Sequence, residues 1–192
     1  MMSDGLRERS KARRREAIVR AAYELFADRG FEATTIADIA AAAEVSPRTV
    51  TLYFPSKLEL AMSEFDSVTD QIRTAVHERE AGVTILDALE HWLRGQLTRR
   101  SDLADLADQV LELNPQLRAA AEARLTEVIQ YGAQILAEEQ GSSPDDFGPR
   151  MASAAAAAVI SEVCYRPQEA HIDTAIAFLR AGLATLPPGP AS

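Results

Sequence analysis

The sequence predicts an all-α protein, and three observations carry that prediction. Apolar residues recur at spacings of three and four along most of the chain. No stretch of useful length alternates apolar and polar residues as a strand does. The periodic segments are separated by helix caps and by Pro or Gly breakers. The expected order is three N-terminal helices, the last two forming a helix-turn-helix, and then a larger set of longer helices.

The first helix is expected over residues 10–29, with Gly30 as its C-terminal stop. Its face of Ile18, Ala22, Leu25 and Phe26 is expected to share a core with Ile36, Ile39, Val50 and Phe54. Thr35 is a good N-cap for the second helix, and Asp38 completes a capping-box-like pattern. Ile36, Ile39, Ala40 and Ala43 give that helix one buried face, and Glu44 and Val45 make the turn. Ser46 caps the third helix, and Pro47 suits its first position because no amide hydrogen is left unpaired there. Val50 and Phe54 point to the core, while Arg48, Thr49, Thr51 and Tyr53 face outward. Pro55 ends this helix and Ser56 caps the next.

A long helix is expected from Lys57, with the stripe Ala61, Phe65, Val68, Ile72 and Val76. Gly82 breaks the pattern, and Thr84 caps a helix with Leu86, Leu89, Leu93 and Leu97 on one face. Residues 102–113 form a shorter helix, and Asn114-Pro115 opens a long one to residue 139. Residues 141–149 read as loop, 149–165 as helix, Arg166-Pro167 as a break and 169–186 as the last helix. The Pro/Gly tail, residues 187–192, is expected to be disordered.

The formal net charge of −9 over 192 residues at first argues against a nucleic-acid partner. The distribution answers the objection. Residues 1–60 hold 10 Lys/Arg against 9 Asp/Glu, whereas residues 61–192 hold 10 against 20. Within residues 1–20 the count is 7 against 3, so basic charge is focused on the N-terminal flank of the helix-turn-helix. Arg13, Arg14 and Arg15 are the candidate phosphate contacts there. No apolar run is long enough to span a bilayer, and no apolar signal core follows the basic N-terminus. With a single cysteine, Cys164, read as a small buried hydrophobe, the expected location is cytoplasmic with no membrane partner.

Taken together, Phe31, Thr34-Thr35-Ile36, Asp38-Ile39-Ala40, Val45-Ser46, Thr49, Tyr53-Phe54 and Ser56-Lys57 resemble the DNA-binding domain of the TetR (tetracycline-repressor-like) transcriptional regulators. The resemblance covers residues 12–62. It implies an N-terminal three-helix helix-turn-helix domain and a C-terminal helical ligand-binding and dimerisation domain. The corresponding division is a flexible basic arm over 1–11, the DNA-binding domain over 12–56 and the effector and dimerisation domain over 57–186. By resemblance, Thr35 and Lys57 contact phosphates at helix starts, Thr49 and Tyr53 touch the backbone, and Pro47 and Arg48 meet base edges or nearby phosphates. Ser46 and Thr51 complete the candidate DNA-binding face. The sequence departs from the family pattern at Glu44, where the turn usually carries Gly, at Arg48, where many members have Gly, and at Thr51, where an aromatic is common.

The resemblance also implies a repressor that leaves a palindromic double-stranded operator when a small apolar or amphipathic effector binds. Candidate lining for that pocket is Phe65, Trp92, Leu93, Gln96, Leu125, Ile129, Tyr131, Glu162 and Cys164. A homodimer is expected through the last two long helices, with Ala154, Ala155 and Ala158 allowing close approach and Leu179, Leu183 and Leu186 meeting their symmetry mates. Without the resemblance, the same residues fit a helical protein-interaction module in which 34–57 only pack. No enzyme is expected, because there is no Gly-rich phosphate loop, nucleophile elbow or HExxH. His77, His91 and His171 are too dispersed for a metal motif, and no cofactor is expected.

Overall fold

A computed structural model describes residues 2–99, 101–165 and 168–185. Among the described residues are ten helices and no strand: α1 (Met2–Arg29), α2 (Ile36–Ala42), α3 (Pro47–Tyr53), α4 (Lys57–Ala61), α5 (Ser63–His77), α6 (Ile85–Arg99), α7 (Asp102–Leu113), α8 (Pro115–Gln140), α9 (Phe147–Tyr165) and α10 (Glu169–Ala184). They form two compact units, each with its own core.

The first unit holds α1 to α4, α5 as far as Ser67, α7, and α8 as far as Ala121. Its core joins Ile18, Ala22, Tyr23 and Phe26 of α1 to Ile39, Val50, Phe54 and Leu60, and to Leu103, Val110 and Leu117. The boundary expected at residue 57 falls inside this unit, because Leu60 and Ala61 are buried in its core. α1 begins at Met2 rather than at residue 10. Residues 7–11 are mostly Arg, Glu and Lys, good helix formers that extend the segment without needing burial.

The single long helix expected from Lys57 is broken at Met62. The reason is a side chain inserted into the helical ladder. The Tyr23 hydroxyl donates to the Ala61 carbonyl at 3.0 Å and accepts the Glu64 amide at 3.1 Å. It thereby occupies the groups on either side of Met62.

The second unit holds the rest of α5, α6, the rest of α8, α9 and α10. Val76, Leu86, Leu89, Trp92, Leu93, Ile160, Val163, Ile172, Ala175, Ile176 and Leu179 form its core. α8 and α9 approach closely at Gly132. Ser153 Oγ donates to the Ile129 carbonyl at 2.8 Å, and a Cβ at Gly132 would collide with Ser153. Arg94 on α6 pairs with Asp173 on α10 at 2.6 Å, and Arg180 pairs with Asp87 at 3.0 Å. These are exposed pairs that fix register more than they stabilise.

Two residues expected at a dimer interface face the other way. Leu179 is 5% exposed and belongs to the second core, and Leu183 is half-buried against it. The face of α10 that packs on α6 and α9 is the apolar one, so its leucines are consumed within the monomer. Leu186 lies outside the described residues, as do the expected break at Arg166-Pro167 and the tail.

Candidate nucleic-acid interface

The interface begins with how α2 and α3 are terminated. Thr35 Oγ1 accepts the Asp38 amide at 3.1 Å, while Asp38 Oδ2 accepts the Thr35 amide at 2.9 Å, a reciprocal capping box. The Thr35 hydroxyl also donates to that carboxylate at 2.6 Å, and these bonds hold the exposed Asp38 carboxyl below its usual range. α2 ends in a six-residue Schellman motif. The Val45 amide bonds the Ala40 carbonyl at 2.9 Å and the Glu44 amide bonds the Ala41 carbonyl at 3.2 Å. That motif needs a left-handed residue between them, and Glu44 supplies it at φ 54°.

The turn delivers Ser46, whose Oγ accepts the Thr49 amide at 3.1 Å as the cap of α3. The Ser46 and Thr49 hydroxyls also share a hydrogen bond of 2.8 Å. Val50 is fully buried and Phe54 nearly so, which fixes the rotation of α3. Pro47, Arg48, Thr51 and Leu52 are then exposed, and Thr49 is half-buried. Thr51 Oγ1 donates to the Arg48 carbonyl at 3.1 Å. Tyr53 is half-buried, with its ring against the first core.

Two of the expected cationic contacts have internal partners. Arg15 stacks its guanidinium over the Phe54 ring at 5.0 Å, tying α1 to the end of α3. Lys57 donates from Nζ to the carbonyls of Phe31 at 2.7 Å and Thr34 at 2.9 Å, and lies 4.2 Å from the Phe31 ring centroid. Its ammonium therefore fastens the loop that leads into α2. This differs from the phosphate contact implied by resemblance, because carbonyls of the loop between α1 and α2 take the donors. Arg13 and Arg14 are exposed on α1.

Two residues of this region were not singled out from the sequence. Leu52 is 82% exposed, and its signal is angular: two residues from buried Val50, it lies roughly 200° around the helix. Asn114 was read only as the opening of α8, yet its side chain is buried against the loop before α2. No local pattern signals a partner so distant in sequence.

Eight of the nine residues expected to line the effector pocket belong to the second unit. Trp92 and Leu93 lie in the second core with Cys164 at its edge. Trp92 is 5% exposed, and its indole N–H has no hydrogen-bond partner among the described residues. Gln96 Nε2 donates to Gln71 Oε1 at 3.1 Å, and Tyr131 lies 5.3 Å from the Arg73 guanidinium. Leu125 and Ile129 are half-buried on α8, and half-buried Phe65 belongs to the first unit. Exposed Glu162 lines an open groove between α9 and α10 with Ala158, Val159, Thr174 and Phe178. Of the small residues on α9, Ala154 and Ala158 are exposed and Ala155 is half-buried. Among the described residues no group of three or more His, Cys, Asp or Glu is placed to hold a metal ion. Nor is any helix there long and apolar enough to cross a membrane.

A three-helix core whose last helix turns an arginine and hydroxyl-bearing residues outward is a helix-turn-helix DNA-binding head, and the protein is a DNA-binding transcriptional regulator of that class. Residues 18–62 match the bacterial regulatory proteins of the tetR family. The HTH-type transcriptional regulator TcmR of Streptomyces glaucescens is 35% identical over 156 residues, which cover 76% of this chain and 69% of TcmR. The chain belongs to the tetR family. A module in which residues 34–57 only pack is not favoured. The fold is shared with NalD, the secondary repressor of the MexAB-OprM multidrug efflux pump in Pseudomonas aeruginosa, at a TM-score of 0.58 and 22% identity over 90% of this chain and 96% of NalD. It is also shared with SmeT in its triclosan complex, at a TM-score of 0.58 and 17% identity over 86% and 90% of the two chains.

Proposed function

We propose that the protein is a cytoplasmic homodimeric repressor that binds a palindromic operator and is released by a small apolar or amphipathic effector. The observation that carries the DNA-binding part is the outward face of α3, where Arg48 stands free of ion pairs among the described residues beside Thr49 and Thr51. Arg suits bidentate contact with guanine, and the hydroxyls suit phosphate oxygens. Exposed Arg13 and Arg14 add phosphate contacts from α1. In this reading Lys57 and Thr35 act by holding α2 and its loop in place.

Dimerisation is supported by the outer face of α9 and α10. Phe178 is 63% exposed and lines a groove with exposed Ala158, and small side chains at Ala154 and Ala158 leave room for a partner helix. Two-fold symmetry places two heads on two half-sites one helical turn apart. Release by a ligand is supported by family membership and by the triclosan complex of SmeT. Trp92, with an unpartnered indole N–H in an apolar core, is the residue best suited to orient such a ligand. The ligand acts only through different affinities for the DNA-bound and DNA-free states.

Selection of genomic fragments on the purified dimer tests the reading. The expected result is retention of a fragment carrying an inverted repeat, protected from cleavage over both half-sites. Failure to retain any fragment, with the dimer intact, contradicts it.

A further inference from the structure

We propose that Leu52 is a specificity-determining residue that reads a thymine methyl group in the major groove, beside a base pair read by Arg48. The inference rests on the DNA-binding function proposed above and adds the base composition of the half-site.

Leu52 is 82% exposed although it belongs to a helix whose neighbouring residues are fixed by burial of Val50 and Phe54. It stands four residues after Arg48, so the two side chains lie one above the other on the same face of α3. Three hydroxyls at that helix make local bonds. Ser46 and Thr49 bond each other, and Thr51 bonds the Arg48 carbonyl. Among the exposed side chains of α3, Arg48 and Leu52 are the two long ones, a guanidinium and a branched apolar group. The thymine C5-methyl is the apolar group on the major-groove edge of the base pairs. A guanidinium and a leucine one turn apart match a guanine and a thymine within a base pair or two of each other. The same pairing explains why a large apolar side chain is kept on a face that must otherwise meet water and phosphate.

Deoxyuridine supplies a clean test, because it deletes only the methyl and leaves base pairing and phosphates unchanged. The probe is an operator duplex recovered from the genomic selection, with each thymine replaced in turn. At one position per half-site the full-length parent protein should lose about four-fold in affinity, the value of one buried methyl-sized group. Leu52→Ala should bind the unmodified duplex several-fold more weakly, with the salt dependence of the parent, and should show no methyl effect at that position. Leu52 is exposed, so Leu52→Ala is expected to fold; Leu52→Val, which keeps part of the contact, should fall between parent and Leu52→Ala. The proposal is overturned if no thymine methyl matters, or if the methyl effect persists undiminished in Leu52→Ala. Either result leaves operator binding standing, whereas failure to recover any operator overturns both readings together.

Discussion

Asn114 Oδ1 accepts the Phe31 amide at 2.7 Å, joining positions 83 residues apart. The same side chain donates from Nδ2 to the carbonyls of Val110 at 2.7 Å and Phe26 at 3.3 Å. Asn114 is 2% exposed, so these backbone groups have little access to water if it is removed. Truncation thus leaves buried groups unpaired. Asn114→Ala should lower stability by about 2–3 kcal/mol in urea unfolding, with an unchanged m-value. A loss below about 0.5 kcal/mol contradicts the assignment.

Lys57 holds the same loop through the Phe31 and Thr34 carbonyls. Lys57→Met should weaken operator binding by misplacing α2 while leaving the salt slope unchanged. Arg14→Ala, which removes an exposed cation, should reduce the slope by about 0.9 if one phosphate contact is lost. A slope change of that size in Lys57→Met would return Lys57 to the role of phosphate ligand.

Burial pushes the Tyr23 phenol up from 10.0 to about 12, with the hydrogen bonds to Ser63 and Glu64 opposing the shift. The folded state therefore holds this proton more tightly than the unfolded chain. The stability linked to it is complete below pH 10 and is lost as pH rises towards about 12. Tyr23→Phe should remove this part of the alkaline loss. It should also cost about 1–2 kcal/mol at neutral pH, because the Ala61 carbonyl and Glu64 amide lose their partner. Stability curves of the two proteins that run parallel from pH 8 to 12 would show that Tyr23 is not the group concerned.

Glu44 adopts φ 54° in the Schellman turn, a region that penalises a side chain. Glycine removes the penalty but gains freedom in the unfolded chain. Glu44→Gly should be net stabilising by about 0.5–1 kcal/mol, whereas Glu44→Ala should give no such gain. Thermal unfolding of the three proteins checks the order, and an Ala variant as stable as the Gly variant contradicts backbone strain.

Phe178 is the large apolar side chain that α10 leaves outside the second core. Phe178→Glu should shift the protein to monomer in sedimentation equilibrium while preserving helicity. Persistence of a full dimer would move the interface elsewhere.

The helix-turn-helix was legible because its determinants are local. Thr35 with Asp38, Ser46 with Pro47, and the buried pair Val50 and Phe54 each act within a few residues, and the structure places them as expected. The break at Met62 was not legible, because the hydroxyl that causes it comes from Tyr23, about 40 residues earlier. Nor was the role of Lys57, whose side chain turns back onto carbonyls more than 20 residues away. Along α10, periodicity found the apolar stripe but could not say which neighbour covers it. Leu179 and Leu183 proved to face the monomer's own core.

The central claim, that α3 reads DNA through Arg48, is tested most directly by measuring affinities of the parent protein and Arg48→Ala for the recovered operator and for a random duplex of equal length. The account predicts that Arg48→Ala loses about 1–3 kcal/mol on the operator and much less on the random duplex, narrowing the difference between them. Equal losses on both duplexes, or none on either, would contradict it.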